Sequence, residues 1–296
     1  MQNYLVIDVG SNSVRAMLVF GDKTIYKETF TTRLGEGLYK TGKISEESKI
    51  RTTDAIVSCI NKGKSEGINE VLMFATAAVR NSLNGDDFTS YVYGKTGIKV
   101  DVLSGEEEAE AGIVGALAGG DGCVVDEGGA STEVVVAKSG KIVYSHSLLV
   151  GAVVLKDVVG EDRNAAIKFV QEKVCEYGTV PKCDVVTAIG GTATTIGAIA
   201  NGLKVYDRNI VNGTKLSVER LEEITNSLYS LTAKERVEKL YVNPKRAEII
   251  AGGAQLLLNV VKYLGAKSII ISENDNAEGY YYMKKKGIRY EKIGQV

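Results

Sequence analysis

The chain carries a near-copy of one of its own segments. Residues 6–19 read VIDVGSNSVRAMLV and residues 124–137 read VVDEGGASTEVVVA. Laid together at an offset of 118 residues, they superpose Asp8 on Asp126, Gly10 on Gly128 and Ser13 on Ser131. In each, an apolar β-branched run enters a glycine-bearing turn and resumes beyond it, the pattern of a β-hairpin. A repeat of this kind demands two similar halves, which narrows the fold more than any bulk property.

Hydrophobic periodicity extends the repeat. The first half reads as strands at 4–9, 13–20 and 24–32, a helix over 46–65, a strand at 69–76, a helix near 85–96, a strand at 98–103 and a helix over 105–118. The second half reads as strands at 122–126, 131–137 and 141–148, then helices at 151–159 and 163–177. It continues with a strand at 184–190, a helix at 192–201, helices across 217–240 and 244–264, a strand at 267–272 and a last helix near 277–286. Three antiparallel strands followed by alternating helices and strands predict an α/β fold, a mixed sheet covered by helices, in each half. The run Ala118-Gly-Gly-Asp-Gly122 reads as the hinge between them. The expected domains are 1–119 and 120–279, with a C-terminal helix of about 280–296 packed back on the first.

Composition limits the chemistry. With 36 basic and 37 acidic side chains the net charge is −1, which speaks against a broad nucleic-acid or anionic-membrane surface. No apolar run approaches the roughly 18 to 20 residues that cross a bilayer. The start MQNYLVIDVG enters a strand without a basic leader, so the expected location is the cytoplasm. His146 is the only histidine and is expected to be structural, which excludes a multi-histidine metal centre and weakens any Ser-His-Asp reading. Cys59, Cys123, Cys175 and Cys183 form no C-x-x-C pair, and the first three lie in apolar stretches that suggest buried reduced thiols. Carboxylates, hydroxyls, backbone amides, Lys, Arg or an oxygen-bound ion remain.

The repeated turns suit phosphate. Glycine lets the backbone approach a ligand closely, successive turn amides form an anion-binding nest, and serine hydroxyls add donors. The aspartates Asp8 and Asp126 would oppose a phosphate unless a hard divalent cation bridges them. The run AIGGTATTIGAI (188–199) adds a third loop, a strand ending at Gly190-Gly191 before a helix whose first amides attract anions. Two such grips are expected to face one another across a cleft.

The motifs IDVGSNSVR, RLGEGL (33–38), ATAAVRNSLNG (75–85), SGEEEAEAGIVGAL (104–117), VDEGGASTE, AIGGTATT, NPKRAEIIAGGAQLL (243–257) and SENDNAEG (272–279) occur here in one order. In that order the chain resembles the exopolyphosphatase and guanosine-pentaphosphate phosphatase (Ppx/GppA) family, in a short form without the family's C-terminal helical domain. The resemblance implies duplicated actin-like, ribonuclease H-like domains with an interdomain cleft, as in acetate and sugar kinases, heat-shock ATPases and actin. It implies release of the terminal phosphate from inorganic polyphosphate or guanosine pentaphosphate by water, with Mg²⁺ (or Mn²⁺). Polyphosphate or a guanosine polyphosphate such as ppGpp would be the partner, with no nucleic acid and no membrane; a homodimer is compatible with it.

Carried over by residue, Glu108 matches the general base that activates water, and Arg80 a phosphate-binding arginine. Asp126 and Glu133 match metal-associated carboxylates, joined by Asp8 as its equivalent in the repeat. Gly10, Ser11, Asn12 and Ser13 match the first phosphate loop, Gly128, Gly129 and Ser131 the second, and Gly190, Gly191 and Thr192 the third. Glu106, Glu107 and Glu108 lie on a helix, so at about 100° per residue they cannot all face one way.

The chain departs from the family at Glu127, where a small apolar residue is usual, and at Ala130, where a third glycine is usual. The family's G-L-R-E-G becomes Asp275-Asn-Ala-Glu-Gly279, so Ala277 holds the arginine position. Two alternatives stay open on these grounds: a polyphosphate or guanosine-polyphosphate sensor with little or no turnover, and a small-molecule kinase of the same superfamily.

Overall fold

A computed structural model describes residues 2–21 and 23–292. The chain divides into two compact units, Met1–Glu108 and Ala109–Val296. The first contains β1 (Asn3–Val9), β2 (Ser13–Phe20), β3 (Lys23–Thr31), α1 (Leu38–Thr41), α2 (Glu46–Ser65), β4 (Glu70–Ala75), α3 (Ala77–Arg80), α4 (Gly85–Thr96) and β5 (Asp101–Val102). Helix α5 (Gly105–Leu117) begins in the first unit and continues into the second.

The second unit then runs β6 (Gly122–Glu127), β7 (Thr132–Lys138), β8 (Lys141–Leu148), α6 (Ala152–Val159), α7 (Arg163–Val174) and a 3₁₀ turn, Cys175–Tyr177. Next come β9 (Val185–Ile189), α8 (Gly191–Ala200), α9 (Arg208–Val211), β10 (Lys215–Ser217), α10 (Val218–Tyr229) and α11 (Ala233–Leu240). It finishes with α12 (Ile250–Tyr263), β11 (Ser268–Ile271), α13 (Asn276–Tyr281), a π turn Tyr282–Lys286 and β12 (Glu291–Lys292).

The first sheet has the order β3-β2-β1-β4-β5 and the second β10-β11-β9-β6-β7-β8-β12. In each, three antiparallel strands lead into parallel neighbours, β1 beside β4 and β6 beside β9. The duplication reaches the irregularities: the register slips at Leu18/Val19 in one hairpin and at Val136/Ala137 in the other, equivalent places in the repeat. The expected α/β architecture is therefore present twice. Each sheet has its own core, with Leu5, Ile7 and Val9 against Ile56 and Phe88 in the first, and Val125, Val134 and Ile196 against Leu257 in the second.

Local chemistry sets the helix starts. The Ser45 hydroxyl accepts from the Ser48 amide to open α2, with Glu46 and Glu47 in the first turn and Lys62 and Lys64 in the last, charges matched to the helix dipole. Thr232 with Glu235 and Asp275 with Glu278 form reciprocal caps on α11 and α13. Helix α12 starts at Ile250 rather than near 244, because Asn243–Ile249 is a chain of tight turns, with Arg246 N bonded to Asn243 O at 2.8 Å.

Where the sequence reading placed the domain boundary at 119/120, contacts divide the chain inside α5. The stretch 118–122 is still a turn, with Ala118 and Gly119 both in the left-handed region. Strand β12 pairs in parallel with β8 in the second sheet; residues 293–296 of the expected C-terminal helix lie outside the described residues. Cys175 is exposed, correcting the expectation of a buried thiol: Ala166, Val170 and Val174 turn inward at helical spacing, and the next position turns out. Cys59 and Cys123 are buried as expected. His146 stacks edge-on against Tyr177 at 5.5 Å, a structural place. Among the described residues, no helix is long and apolar enough to cross a membrane.

Candidate active site

Both repeated turns close in the same way. Gly10 N donates to Ser13 O at 3.0 Å, and Gly128 N to Ser131 O at 3.0 Å. The carbonyls of each turn are taken up by amides further along the chain. Asn12 O accepts from Thr32 N and Arg33 N, and Ser11 O from Gly35 N. Gly128 O accepts from Ala152 N, and Gly129 O from Val153 N and Val154 N at the start of α6. Turns of this kind, with their carbonyls engaged, can offer remaining amides as a nest that favours anions. Ser11, Asn12, Ser13 and Ser131 are all buried, and Asn12 Nδ2 is a buried donor without a hydrogen bond.

Directly across the first hairpin from Asp8 stands Arg15, with Nε 3.2 Å from Asp8 Oδ2. Directly across the second hairpin from Asp126 stands Glu133. The equivalent rung therefore holds an ion pair in one copy and two carboxylates in the other. Like charges directly opposite are destabilising, and their side chains share one face of the sheet. Asp126 Oδ2 accepts from Asn276 Nδ2 at 2.7 Å, and Glu133 Oε1 from Ser147 Oγ at 2.6 Å. Hard oxygen donors of this kind suit Mg²⁺, which is commonly held by one or two carboxylates together with phosphate oxygens and water. Among the described residues, no group of three or more acids, histidines or cysteines is close enough to cage a metal with protein ligands alone.

In the first unit, α5 sorts its glutamates by face. Glu106 and Glu107 are exposed, and Glu108 is buried. Glu107 has a capping task that the sequence reading missed: Oε2 accepts from Ser104 N at 2.9 Å while Ser104 Oγ accepts from Glu107 N at 3.1 Å. Arg80, at the end of α3, donates through NH1 to Glu108 Oε2 and to Leu103 O, each at 2.7 Å. The arginine expected on phosphate is thus engaged with the expected base. Burial pushes the Glu108 carboxyl above its usual range and Asp8 adds to the rise, whereas Arg80 and the Thr76 hydroxyl oppose it.

Glu127 follows Asp126 on β6, and strand alternation turns it to the other face. There Thr192 Oγ1 donates to Glu127 Oε1 at 3.0 Å, and burial pushes this carboxyl well above the carboxylate range. The hydroxyl of Thr192, expected on phosphate, is therefore committed to Glu127. A Cβ on Gly253 would lie 2.7 Å from both Glu127 Oε1 and Thr192 Oγ1, so that glycine makes the room. Gly190 caps α8 at φ +93°, and a Cβ there would lie 2.7 Å from Glu127 O and 3.0 Å from Asp126 Oδ1. The Arg246 guanidinium fills the space a Gly191 side chain would need. Ala130 has no left-handed φ, so its methyl group causes no backbone strain, and Ala277 is buried inside the capped α13.

The structure thus gathers Asp8, the first turn, Arg80 and Glu108 in the first unit, and Asp126, Glu133, the second turn and the Gly190–Thr192 turn in the second. Sequence reasoning missed Asn276, whose signal was a polar residue among the departures in the last motif.

Known proteins resemble this chain. The profile of the Ppx/GppA phosphatase family matches residues 13–286. Exopolyphosphatase 2 of Mycobacterium tuberculosis is 30% identical, over 92% of this chain and 95% of that protein. A guanosine-5′-triphosphate,3′-diphosphate pyrophosphatase of Photobacterium profundum is 27% identical, over 98% of this chain and 61% of that protein. The chain spans 45% to 61% of the length of the longer curated relatives it matches. A solved exopolyphosphatase-like protein superposes with a TM-score of 0.89 at 25% identity, covering 96% of this chain and 99% of that one.

Proposed function

Because the chain belongs to the Ppx/GppA phosphatase family and has its duplicated actin-like α/β fold, we propose that it hydrolyses the terminal phosphoanhydride of inorganic polyphosphate or guanosine pentaphosphate. The observation that carries this reading is the unequal pair of hairpins. Asp8 pairs with Arg15, whereas Asp126 stands across from Glu133, and two carboxylates on one face of a hairpin offer the hard oxygen donors that suit a divalent cation and its phosphate.

Glu108 takes a proton from water as the water oxygen bonds to the terminal phosphorus and the bridging P–O bond breaks toward the shortened chain. A carboxyl raised by burial is a better base than an ordinary one, since general-base efficiency favours a pKa near the working pH. Arg80 orients it through NH1. The turns at Gly10–Ser13 and Gly128–Ser131 bind phosphate oxygens through amides, with Gly190 and Gly191 as a third contact. Asp126 and Glu133 hold Mg²⁺ or Mn²⁺, which when bound neutralises charge on the phosphates. Asp8 is better matched to Arg15 than to the ion.

Phosphate release from long-chain polyphosphate and from guanosine pentaphosphate tests the reading, with no acceptor added. Wild type is expected to release phosphate with Mg²⁺ or Mn²⁺, and Glu108→Gln to be slower by about 10²- to 10⁴-fold. Equal rates would remove Glu108 as the base. Tight binding with no release by wild type would favour a sensor, and release only with a sugar or carboxylate acceptor a kinase.

A further inference from the structure

We propose that Asn276 is the positioning residue for Asp126, fixing that carboxylate for the cation. The inference rests on the reading of Asp126 and Glu133 as the cation-holding acids. Asn276 opens α13, is 3% exposed, and donates from Nδ2 to Asp126 Oδ2 at 2.7 Å. A carboxylate only accepts, so the amide must turn its NH₂ to Asp126 and its oxygen away. That oxygen, Oδ1, is buried and has no hydrogen-bond partner among the described residues. One end of this amide is committed to the acid at the expense of the other.

The surroundings hold the amide in register. The Asp275–Glu278 cap fixes the first turn of α13. Helix α5 then meets that helix backbone to backbone: a Cβ on Gly115 would overlap the Asp275 carbonyl, and one on Gly279 would overlap the Ala111 carbonyl. Gly112, between those contacts, leaves space for the amide itself, since a Cβ there would stand 2.9 Å from Asn276 Oδ1 and 3.9 Å from Asp126 Oδ2. Partners that orient a metal-bound carboxylate by hydrogen bonding typically account for 10- to 100-fold in metal affinity.

The test is a Mn²⁺ titration of the metal-free chain of residues 1–296, reading free Mn²⁺ by electron paramagnetic resonance, alongside thermal unfolding of each variant. Asn276→Leu keeps the volume and removes the donor; Gly112→Ala keeps the donor and pushes the amide off its place. Both are expected to weaken Mn²⁺ binding about 10-fold or more while retaining a single cooperative unfolding transition. Their phosphate release is expected to recover at high Mn²⁺, a rescue that a merely structural defect would not give. Asp126→Asn is the reference and is expected to abolish binding. If Asp126→Asn binds Mn²⁺ like wild type, the cation assignment itself fails. If Asp126→Asn loses binding and Asn276→Leu binds like wild type, only the positioning role fails. Should Asn276→Leu not fold, Gly112→Ala decides by the same comparison, with wild-type affinity overturning the proposal.

Discussion

Glu127 is 2% exposed and accepts from Thr192, and burial holds its carboxyl well above the carboxylate range. The folded protein therefore binds this proton more tightly than the unfolded chain does. Its contribution to stability is complete below the ordinary carboxylate range and is lost as pH rises through the raised value. Thermal melts of wild type and Glu127→Gln between about pH 5 and pH 9 should diverge, with wild type losing ground as pH rises; parallel curves would refute the buried acid. Glu108 gives the kinetic counterpart. Its raised carboxyl must be ionised to accept a proton, so activity should fall as pH drops through that value. Arg80→Gln removes the charge that opposes the rise and should move the acid limb of kcat/KM to higher pH by about one unit or more; an unmoved limb would detach Arg80 from Glu108. Glu127 and Ala130 both look anomalous in the sequence. The first is explained by strand alternation, which the period of the strand already allows, and the second by an ordinary φ, which only the backbone gives. Ala130→Gly should accordingly leave activity intact and cost about 0.4 to 1 kcal/mol through the unfolded chain.

Elements with a full period were legible in the sequence. The paired hairpins and the long helix α2 stand where hydrophobic spacing places them, and α12 ends where it should but starts later. Strands of two or three residues, such as β10 and β12, carry no alternation to read, and neither do the four-residue helices α1, α3 and α9. The contact between α5 and α13 was hidden for another reason. Gly115 and Gly279 look like ordinary small residues until the helices touch, when each proves to mark a backbone-to-backbone approach. Gly279→Ala should cost about 3 kcal/mol or more, because the neighbouring atom is a carbonyl that cannot swing aside. A thermal midpoint equal to wild type would show that the helices stand further apart.

Each unit has its own sheet and core, and the described end of the chain belongs to the second sheet. Tyr290 OH donates to Gly120 O at 2.6 Å, Arg289 NH1 lies 3.2 Å from Glu110 Oε2, and β12 is bonded to β8. Ending the chain after Lys286 should therefore speed amide exchange in β8 and around α5, and leave β1–β3 as protected as before. Loss of protection in β1–β3 instead would return the tail to the first unit. The repeat foretold both sheets, but not which unit would claim the tail, since a two-residue strand leaves no imprint at that range.

The rung that holds Arg15 in one hairpin and Glu133 in the other separates two kinds of dependence on the surroundings. The first hairpin carries its own counter-charge beside Asp8. The second sets a carboxylate where the first sets a guanidinium, so the same rung offers hard oxygen donors to a dissolved cation. A duplicated scaffold can thus give its two copies different partners for dissolved cations by one exchange at one position, on the same strand register.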